Sequence, residues 1–182
     1  MKPYLRVIYN YIKLYCTKLM RQKIEFHPIQ LFGWNTKFAI QKGATVHFGK
    51  HIASDGRCVI VVDRGADLSI GDGVYFNEGA MISCKSSVKI GSGCKFGPNV
   101  KIFDNDHKFD AENGVGNEHI SKSISIGQNC WIASNCVVLK GTKIGDNCVV
   151  GAGVVVHGTI PASSVVTASQ DICIKSIKEK EK

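Results

Sequence analysis

Apolar residues recur every six positions along most of this sequence. In its second half these positions hold aliphatic side chains, and a small or branched residue stands two positions before each of them. A period of six fits neither the 3.6-residue repeat of a helix nor the plain alternation of a long strand. Short strands separated by turns do fit it, and glycine and asparagine stand where those turns are expected. The positions are Ile126, Ile132, Val138, Ile144, Val150 and Val156.

Groups of three hexads indicate a coil. The motifs ISIGQN and TKIGDN begin 18 residues apart, which is the length of three hexads. Coils stacked about 4.8 Å apart would place Ile126 over Ile144. By the same step, Cys130 would lie over Cys148 in the interior. The sequence therefore predicts an all-β solenoid, of which residues 35–62 form the first, less regular coils.

The cysteines follow the same frame. Eight are present, but none shows the C-x-x-C spacing of a metal or redox site. No secretory signal with an unbroken apolar run precedes them, so we expect a reduced, intracellular protein. Four occupy small inward slots, where cysteine acts as a compact hydrophobe. Cys84 falls outside the frame, and its role stays open. The four inward positions are Cys94, Cys130, Cys136 and Cys148.

The N-terminal segment has a different pattern. Apolar residues at helical spacing predict a helix over residues 4–20, at the open end of the solenoid. The net charge of the chain is +8, and residues 1–24 hold six basic side chains and no acid. Two interpretations stay open: the helix contacts an anionic membrane surface, or it packs, solvated, on its own domain. The basic residues do not continue as a stripe, which argues against nucleic-acid binding. Charges also interrupt the segment too often for a membrane span of about 20 apolar residues.

One long insertion interrupts the repeat. Ile102 and Ile126 are 24 positions apart where the frame requires six, so a loop is inserted over residues 103–123. Long loops on repeat scaffolds usually carry function. The insertion begins in IFDNDHKFD, where His107 stands among three acids. The predicted organisation is a helix and linker over 1–34, a solenoid domain over 35–166 and a tail over 167–182.

Two stretches within residues 66–162, IGSGCKFGPNVKIFDNDHKFD and IGQNCWIASNCVVLKGTKIGDNCVVGAGVVV, resemble the hexapeptide-repeat acyltransferases. Within that superfamily the sequence is most similar to sugar O-acetyltransferases of the maltose, galactoside and capsular-polysaccharide types. The resemblance implies a left-handed parallel β-helix shaped as a three-sided prism. It also implies a homotrimer with sites between subunits, acetyl-CoA as the acyl donor, and no metal.

The resemblance identifies His107 as the catalytic base, at the start of a loop that projects toward a neighbouring subunit. The residue type suits this role, because acetyl transfer to a hydroxyl needs a group that accepts the hydroxyl proton near neutral pH. A carboxylate would fix the ring tautomer and favour the cation that forms. Asp104 and Asp106 are the candidates for that carboxylate, and the choice between them stays open.

On the acceptor side there are four candidate positions, and two of them match the family. Asn77 matches an asparagine that lies beside the acceptor sugar in galactoside-type enzymes. An acidic residue that holds the acceptor in those enzymes falls at Cys84 or its neighbour Lys85, and this departure argues against galactosides as the acceptor. Trp131 matches a tryptophan near the catalytic histidine, and His119 shares the inserted loop with His107.

On the donor side, the resemblance implies a different set of residues. Backbone amides at two of them, Ala133 and Ser134, would hold the thioester carbonyl as charge develops on its oxygen. Small residues further along would let the slender pantetheine arm approach the backbone. The expected coenzyme-binding residues are Trp131, Ala133, Ser134, Gly151, Ala152 and Gly153.

These features predict a cytoplasmic O-acetyltransferase. Whether its N-terminal helix holds it at the inner face of the membrane stays open. It would transfer acetyl from acetyl-CoA to a sugar hydroxyl of a surface polysaccharide or its precursor. Two alternatives stay open: an N-acyltransferase acting on an amino sugar or amino acid, and a non-catalytic scaffold of hexapeptide coils.

Overall fold

The computed structural model describes residues 3–21 and 23–168. Within these ranges the chain forms one helix, α1 (Pro3–Arg21), followed by 21 short strands. Residues 169–182, which make up most of the predicted tail, lie outside the described residues. The strands are β1 (Ile24–Phe26), β2 (Lys37–Ile40), β3 (Thr45–Phe48), β4 (Ala53–Ser54), β5 (Val59–Val62), β6 (Asp67–Ile70), β7 (Tyr75–Phe76), β8 (Met81–Cys84), β9 (Ser87–Ile90), β10 (Lys95–Phe96), β11 (Lys101–Phe103), β12 (Asn105–Asp110), β13 (Gly114–Ser121), β14 (Ile124–Ile126), β15 (Trp131–Ile132), β16 (Val137–Val138), β17 (Lys143–Ile144), β18 (Val149–Val150), β19 (Val155–Val156), β20 (Thr159–Ile160) and β21 (Val165–Val166).

Strands of successive coils pair in parallel and form three faces. Face A has the order β1-β3-β6-β9-β14-β17-β20, face B β4-β7-β10-β15-β18-β21, and face C β2-β5-β8-β11-β16-β19. The chain visits faces A, B and C in turn, so the predicted all-β parallel solenoid is confirmed. The corner between faces B and C is called edge BC (residues 77–80, 97–100, 133–136 and 151–154), and the corner between faces C and A is called edge CA (residues 63–66, 85–86, 104–123 and 139–142).

The repeat keeps its phase from coil to coil. Ile126 pairs in register with Ile144, and Ile132 with Val150, as the period of six predicts. All four side chains are buried in one continuous core. Burial of an aliphatic side chain of this size is worth about 1.5–3 kcal/mol relative to exposure. The predicted inward ladders are therefore present and supply the stabilisation of the prism.

The solenoid begins earlier than residue 35. Strand β1 pairs with β3 on face A, and Leu31 forms an isolated bridge with Ala53. This first coil is filled by an aromatic group in place of the aliphatic hexads: Phe32 is fully buried, and its ring meets that of Phe38 edge to face at 5.1 Å. The period of six is absent there, so the side-chain pattern alone does not reveal this coil.

Asp104 closes edge CA where the insertion leaves the coil. Its side chain is fully buried, and its two carboxylate oxygens accept hydrogen bonds from the amides of Lys85 (2.8 Å) and Ser86 (2.7 Å). The Asp104 carbonyl accepts from the amide of Lys122 at 2.8 Å, where the chain returns. Between these points, β12 and β13 form an antiparallel hairpin outside the three faces. The insertion is thus an ordered hairpin with a fixed base.

Replacing Asp104 with alanine is expected to lower the free energy of unfolding by about 2 kcal/mol, because two corner amides lose their acceptors. Asp106→Ala is the matched control, since this exposed carboxylate makes only a surface ion pair with Lys140, worth less than about 1 kcal/mol. Urea unfolding of both variants measures the difference. Equal losses in the two variants would contradict the role given to Asp104.

The cysteines supply a second test of the core. Six of the seven described cysteines are buried and Cys16 is exposed. Burial raises the pKa of Cys84 to about 12 and that of Cys94 to about 12, which keeps both thiols protonated and unreactive at neutral pH.

In a Cys173→Ser chain, we expect Ellman's reagent to label one thiol in the folded state and seven after unfolding in urea, because only Cys16 is accessible among the remaining cysteines. The measurement is the amplitude and rate of thionitrobenzoate release at pH 8. Rapid labelling of several thiols in the folded chain would show that the inward ladder is not closed.

Candidate functional site

The hairpin brings two histidines together. His107 on β12 stands opposite His119 on β13, and their ring centroids are 4.3 Å apart with an angle of 41° between the planes. Both residues are exposed at edge CA. Antiparallel pairing places directly opposed side chains on the same face of a hairpin, which accounts for the contact. The structure therefore presents a pair of imidazoles at the predicted catalytic position.

The His107 ring is oriented by a backbone group. Its Nδ1 lies 3.3 Å from the carbonyl oxygen of Gly116, on the opposite strand of the hairpin. A carbonyl can only accept a hydrogen bond, so this contact requires the proton on Nδ1. The lone pair of the neutral ring then lies on Nε2. This is the tautomer that a general base needs if Nε2 is to receive a proton.

His119 has a different electrostatic setting. Desolvation lowers the pKa of His119, and the nearby positive charges of Lys85 and His107 lower it further, against a smaller opposing effect of Asp63. Lys85 is itself held by an ion pair with Asp63. The lowered pKa favours the neutral form of the His119 ring.

Asp104 and Asp106, the two carboxylates predicted to orient the His107 ring, bind other groups. Asp104 is buried at the base of the hairpin, where it binds the amides of edge CA. Asp106 forms an ion pair with Lys140, one coil further along. The His107 ring instead donates a hydrogen bond from Nδ1 to the Gly116 carbonyl. Sequence reasoning missed this partner because any residue can supply a main-chain carbonyl.

The predicted donor residues line up along edge BC and the adjoining end of face B. Trp131 points outward with 54% of its surface exposed. The amide of Ala133 is used in the ladder, donating to the Val150 carbonyl at 2.9 Å. The amide of Ser134 has no acceptor among the described residues. Of the two predicted amides, Ser134 is the one free to bind an oxygen.

Small residues follow on the same edge, one coil further. The stretch consists of Gly151, Ala152 and Gly153, and the last two are exposed. Gly153 has a φ of 74°, a left-handed conformation that glycine adopts without strain, and a Cβ built there would meet nothing within 4 Å. Its amide donates to the Ser134 carbonyl at 2.9 Å. The backbone is therefore open to a slender ligand such as a pantetheine arm.

The predicted acceptor residues separate in the structure. Asn77 lies on edge BC and lines a groove of about 500 Å³ together with Arg57, Glu78 and Lys101, which the sequence did not single out. Its Oδ1 accepts a hydrogen bond from the Glu78 amide at 2.8 Å. Cys84 is fully buried and points into the prism, so its side chain offers no surface to an acceptor.

One chain does not bring all these residues together. The donor residues and Asn77 belong to edge BC or to the adjoining end of face B, whereas His107 and His119 belong to the hairpin on edge CA. Face C separates the two edges, and the segment from residue 99 to 104, which includes β11, spans roughly 17 Å at about 3.3 Å per residue. Among residues 3–21 and 23–168, no three histidine, cysteine or acidic side chains are grouped as a metal site.

Comparisons with known proteins agree on one family. A profile for the bacterial transferase hexapeptide (six repeats) matches residues 123–158. The galactoside O-acetyltransferase of Escherichia coli (strain K12) is 34% identical over 118 residues, covering 65% of this chain and 58% of that protein. The chain thus matches less than two thirds of the length of this relative.

A second relative is matched over more of its length. The putative lipopolysaccharide biosynthesis O-acetyl transferase WbbJ of Escherichia coli (strain K12) is 30% identical over 153 residues, covering 79% of this chain and 78% of that protein. Similarity on this scale, over most of both chains, shows common membership of one family.

Solved structures share the fold. A hexapeptide-repeat acetyltransferase of Vibrio cholerae O1 biovar eltor, complexed with acetyl coenzyme A, has a TM-score of 0.56 at 25% identity and covers 75% of this chain and 72% of that one. The N-acyltransferase AntD of Bacillus cereus has a TM-score of 0.70 at 12% identity, covering 92% and 90%, which is a likeness of fold alone. Three observations agree: the hexapeptide repeat, the solenoid fold and the relative that is matched over most of its length. The chain belongs to the hexapeptide-repeat acetyltransferase family.

Proposed function

We propose that this protein transfers an acetyl group from acetyl-CoA to a hydroxyl of a saccharide, with His107 as general base. The observation that carries the proposal is the exposed His107 ring, whose Nδ1 is bound to the Gly116 carbonyl and whose Nε2 has no hydrogen-bond partner among the described residues. An imidazole in this tautomer can take a hydroxyl proton near neutral pH and return it within one turnover.

The transfer is direct. The acceptor hydroxyl gives its proton to Nε2 of His107 while its oxygen bonds to the acetyl carbonyl carbon. The resulting oxyanion is stabilised by a backbone amide, for which Ser134 is the free donor. Collapse of this intermediate breaks the C–S bond, and the departing sulfur receives the proton from the imidazolium. The products are an acetyl ester and CoA with a free thiol.

The donor would lie along edge BC. Trp131 supplies an exposed aromatic wall, and Gly151 to Gly153 leave room for the pantetheine arm. The Vibrio cholerae relative was solved with acetyl coenzyme A bound, which supports the same donor here.

The separation of the two edges favours a site shared by two copies of the chain. His107 would come from the hairpin of one copy, and Trp131 and Ser134 from edge BC of the next. The hairpin carries three exposed apolar side chains, Phe109, Val115 and Ile120, which a second copy would cover. A cyclic homotrimer would use this contact three times and leave no copy unpaired.

The acceptor is proposed to be a sugar of a surface polysaccharide or of its precursor. The groove beside Asn77 is lined by Arg57, Glu78 and Lys101, whose polar groups suit the hydroxyls of a saccharide. The relatives named for galactoside and lipopolysaccharide O-acetylation support the same substrate class. We place the reaction in the cytoplasm, where acetyl-CoA is available and free thiols remain reduced. Mild alkali cleaves an acetyl ester but spares an amide, so the stability of the product separates O-acetylation from N-acetylation.

His107→Gln is expected to lower kcat/KM about a hundredfold to ten-thousandfold, because glutamine cannot accept the hydroxyl proton. The assay is thiol release from acetyl-CoA with a panel of mono- and oligosaccharide acceptors. His157→Gln, an exposed histidine outside the hairpin, is the matched control and should retain full activity. Wild-type turnover by the His107 variant would rule out this base.

Mixing two inactive variants tests the shared site. His107→Gln and Trp131→Ala chains are expected to regain part of the activity when they are unfolded and refolded together, because some interfaces then combine an intact His107 with an intact Trp131. Acetyl transfer by the mixture is compared with that of each variant refolded alone. A mixture no more active than its components would place both residues in the site of a single chain.

A further inference from the structure

Helix α1 packs on the first coil with its polar side. Arg6 Nε and Asn10 Nδ2 each donate to the Phe32 carbonyl at 2.9 Å, and Lys13 Nζ donates to the Thr36 carbonyl at 2.6 Å. Leu14 is the one large apolar residue of the described helix that is fully buried. An amphipathic helix that packs on its own domain normally turns its apolar side inward. Here the polar side carries the packing.

The opposite side of the helix is apolar and exposed. Five side chains at intervals of three and four residues form one line, and each has between 45% and 67% of its surface exposed. Apolar surface in a continuous row is uncommon on a soluble monomer and marks a contact with something else. This outward stripe consists of Leu5, Ile8, Ile12, Tyr15 and Leu19.

The charge around the outward stripe is mainly positive, although the exposed Glu25 lines one groove with Lys18 and Lys23. Residues 1–24 contain six basic side chains and no acid, and Lys18 lies exposed beside the stripe. Lys23 follows directly after the helix and is also exposed. Basic residues that flank an apolar helical face are attracted by anionic lipid headgroups. A partner that complements the outward stripe would therefore have an apolar interior beneath a negatively charged surface.

We propose that the outward stripe of α1 lies on the surface of an anionic lipid bilayer. A helix of this type rests in the interface plane, with its apolar face about 5–10 Å into the boundary between headgroups and acyl chains. Among the described residues, no helix is long and apolar enough to cross a membrane. The contact is a peripheral one and is independent of the acetyl transfer proposed above.

A second copy of the helix fits this surface less well. The spacing of the outward stripe resembles two heptads of a coiled-coil seam, but the flanking positions hold Tyr9, Tyr11, Cys16 and Lys18. Paired coiled coils place opposite charges at those positions. The helix holds no acid at these positions to pair with Lys18 of a second helix, and association would bring the two Lys18 side chains together. The charge pattern thus favours lipid over self-association.

The position of α1 also orients the prism. The helix contacts the first coil, including Phe32 and Thr36, so its outward stripe faces away from the later coils. The hairpin of His107 leaves the coil that starts at β9, three coils beyond the one that starts at β1. At about 4.8 Å per coil, this raises the hairpin base roughly 15 Å above the first coil. The bound protein would present His107 well above the lipid headgroups.

The test uses the full chain and two types of vesicle. We expect cosedimentation with vesicles of phosphatidylcholine and phosphatidylglycerol, weaker binding to phosphatidylcholine alone, and loss of binding at high salt. Replacing Ile8 and Ile12 together with serine should weaken the apparent affinity about tenfold or more, because two half-exposed aliphatic side chains no longer enter the interface. Val165→Ser, at an equally exposed apolar position on face B, is the matched control and should bind as wild type does.

Each outcome of this experiment either supports or overturns the membrane-binding proposal. Binding that is equal for the Ile8 and Ile12 variant and the Val165 control, or absent for all chains, overturns the proposal. A fall in oligomer mass in the helix variant, without vesicle binding by either form, would assign the outward stripe to a second copy. Circular dichroism checks that the helix variant is folded. His107→Gln should bind vesicles normally, so failure of the acetyl-transfer proposal is distinguishable from failure of this one.

Discussion

The structure depends on the in-register stacking of parallel coils. Each coil donates and accepts backbone hydrogen bonds from its two neighbours, so an error in phase at one coil would carry over to the next. This requirement explains why Ile126 and Ile144 must pair, and why small residues such as Cys130 and Cys148 recur beside them. The side chains follow the backbone ladder and fill whatever space it leaves inside.

The same constraint decides where chemistry can be placed. Residues on the faces are committed either to the core or to the ladder, as the Ala133 amide shows by its bond to the Val150 carbonyl. The corners are freer, and the groups able to meet a substrate lie there: the Ser134 amide on edge BC and His107 on edge CA. Face C lies between these two edges, so one chain holds the Ser134 amide and His107 apart. The site that we propose therefore combines the edges of two copies.

The sequence predicts some levels of this structure better than others. The solenoid and the insertion could be predicted, since both depend on a period of six that side chains report directly. The first coil could not, because Phe32 and its aromatic neighbours fill it without that period. In the proposed site, the motif around His107 predicts its role, whereas the carbonyl of Gly116 that binds its ring leaves no trace in the side-chain pattern. The outward orientation of α1 was also open, because an amphipathic pattern gives two faces without saying which one is covered.

Asp104 has a consequence for how such a protein can change. Its carboxylate binds the amides of Lys85 and Ser86, while its carbonyl receives Lys122, so the chain leaves and re-enters the coil at one sealed junction. The hairpin between that departure and that return lies outside the three faces, and its contacts with the coils include the exposed ion pair of Asp106 with Lys140. A change of sequence or length at the far end of the hairpin would therefore leave the buried ladders in place. The junction allows the segment that carries His107 to vary while the stacked coils stay the same.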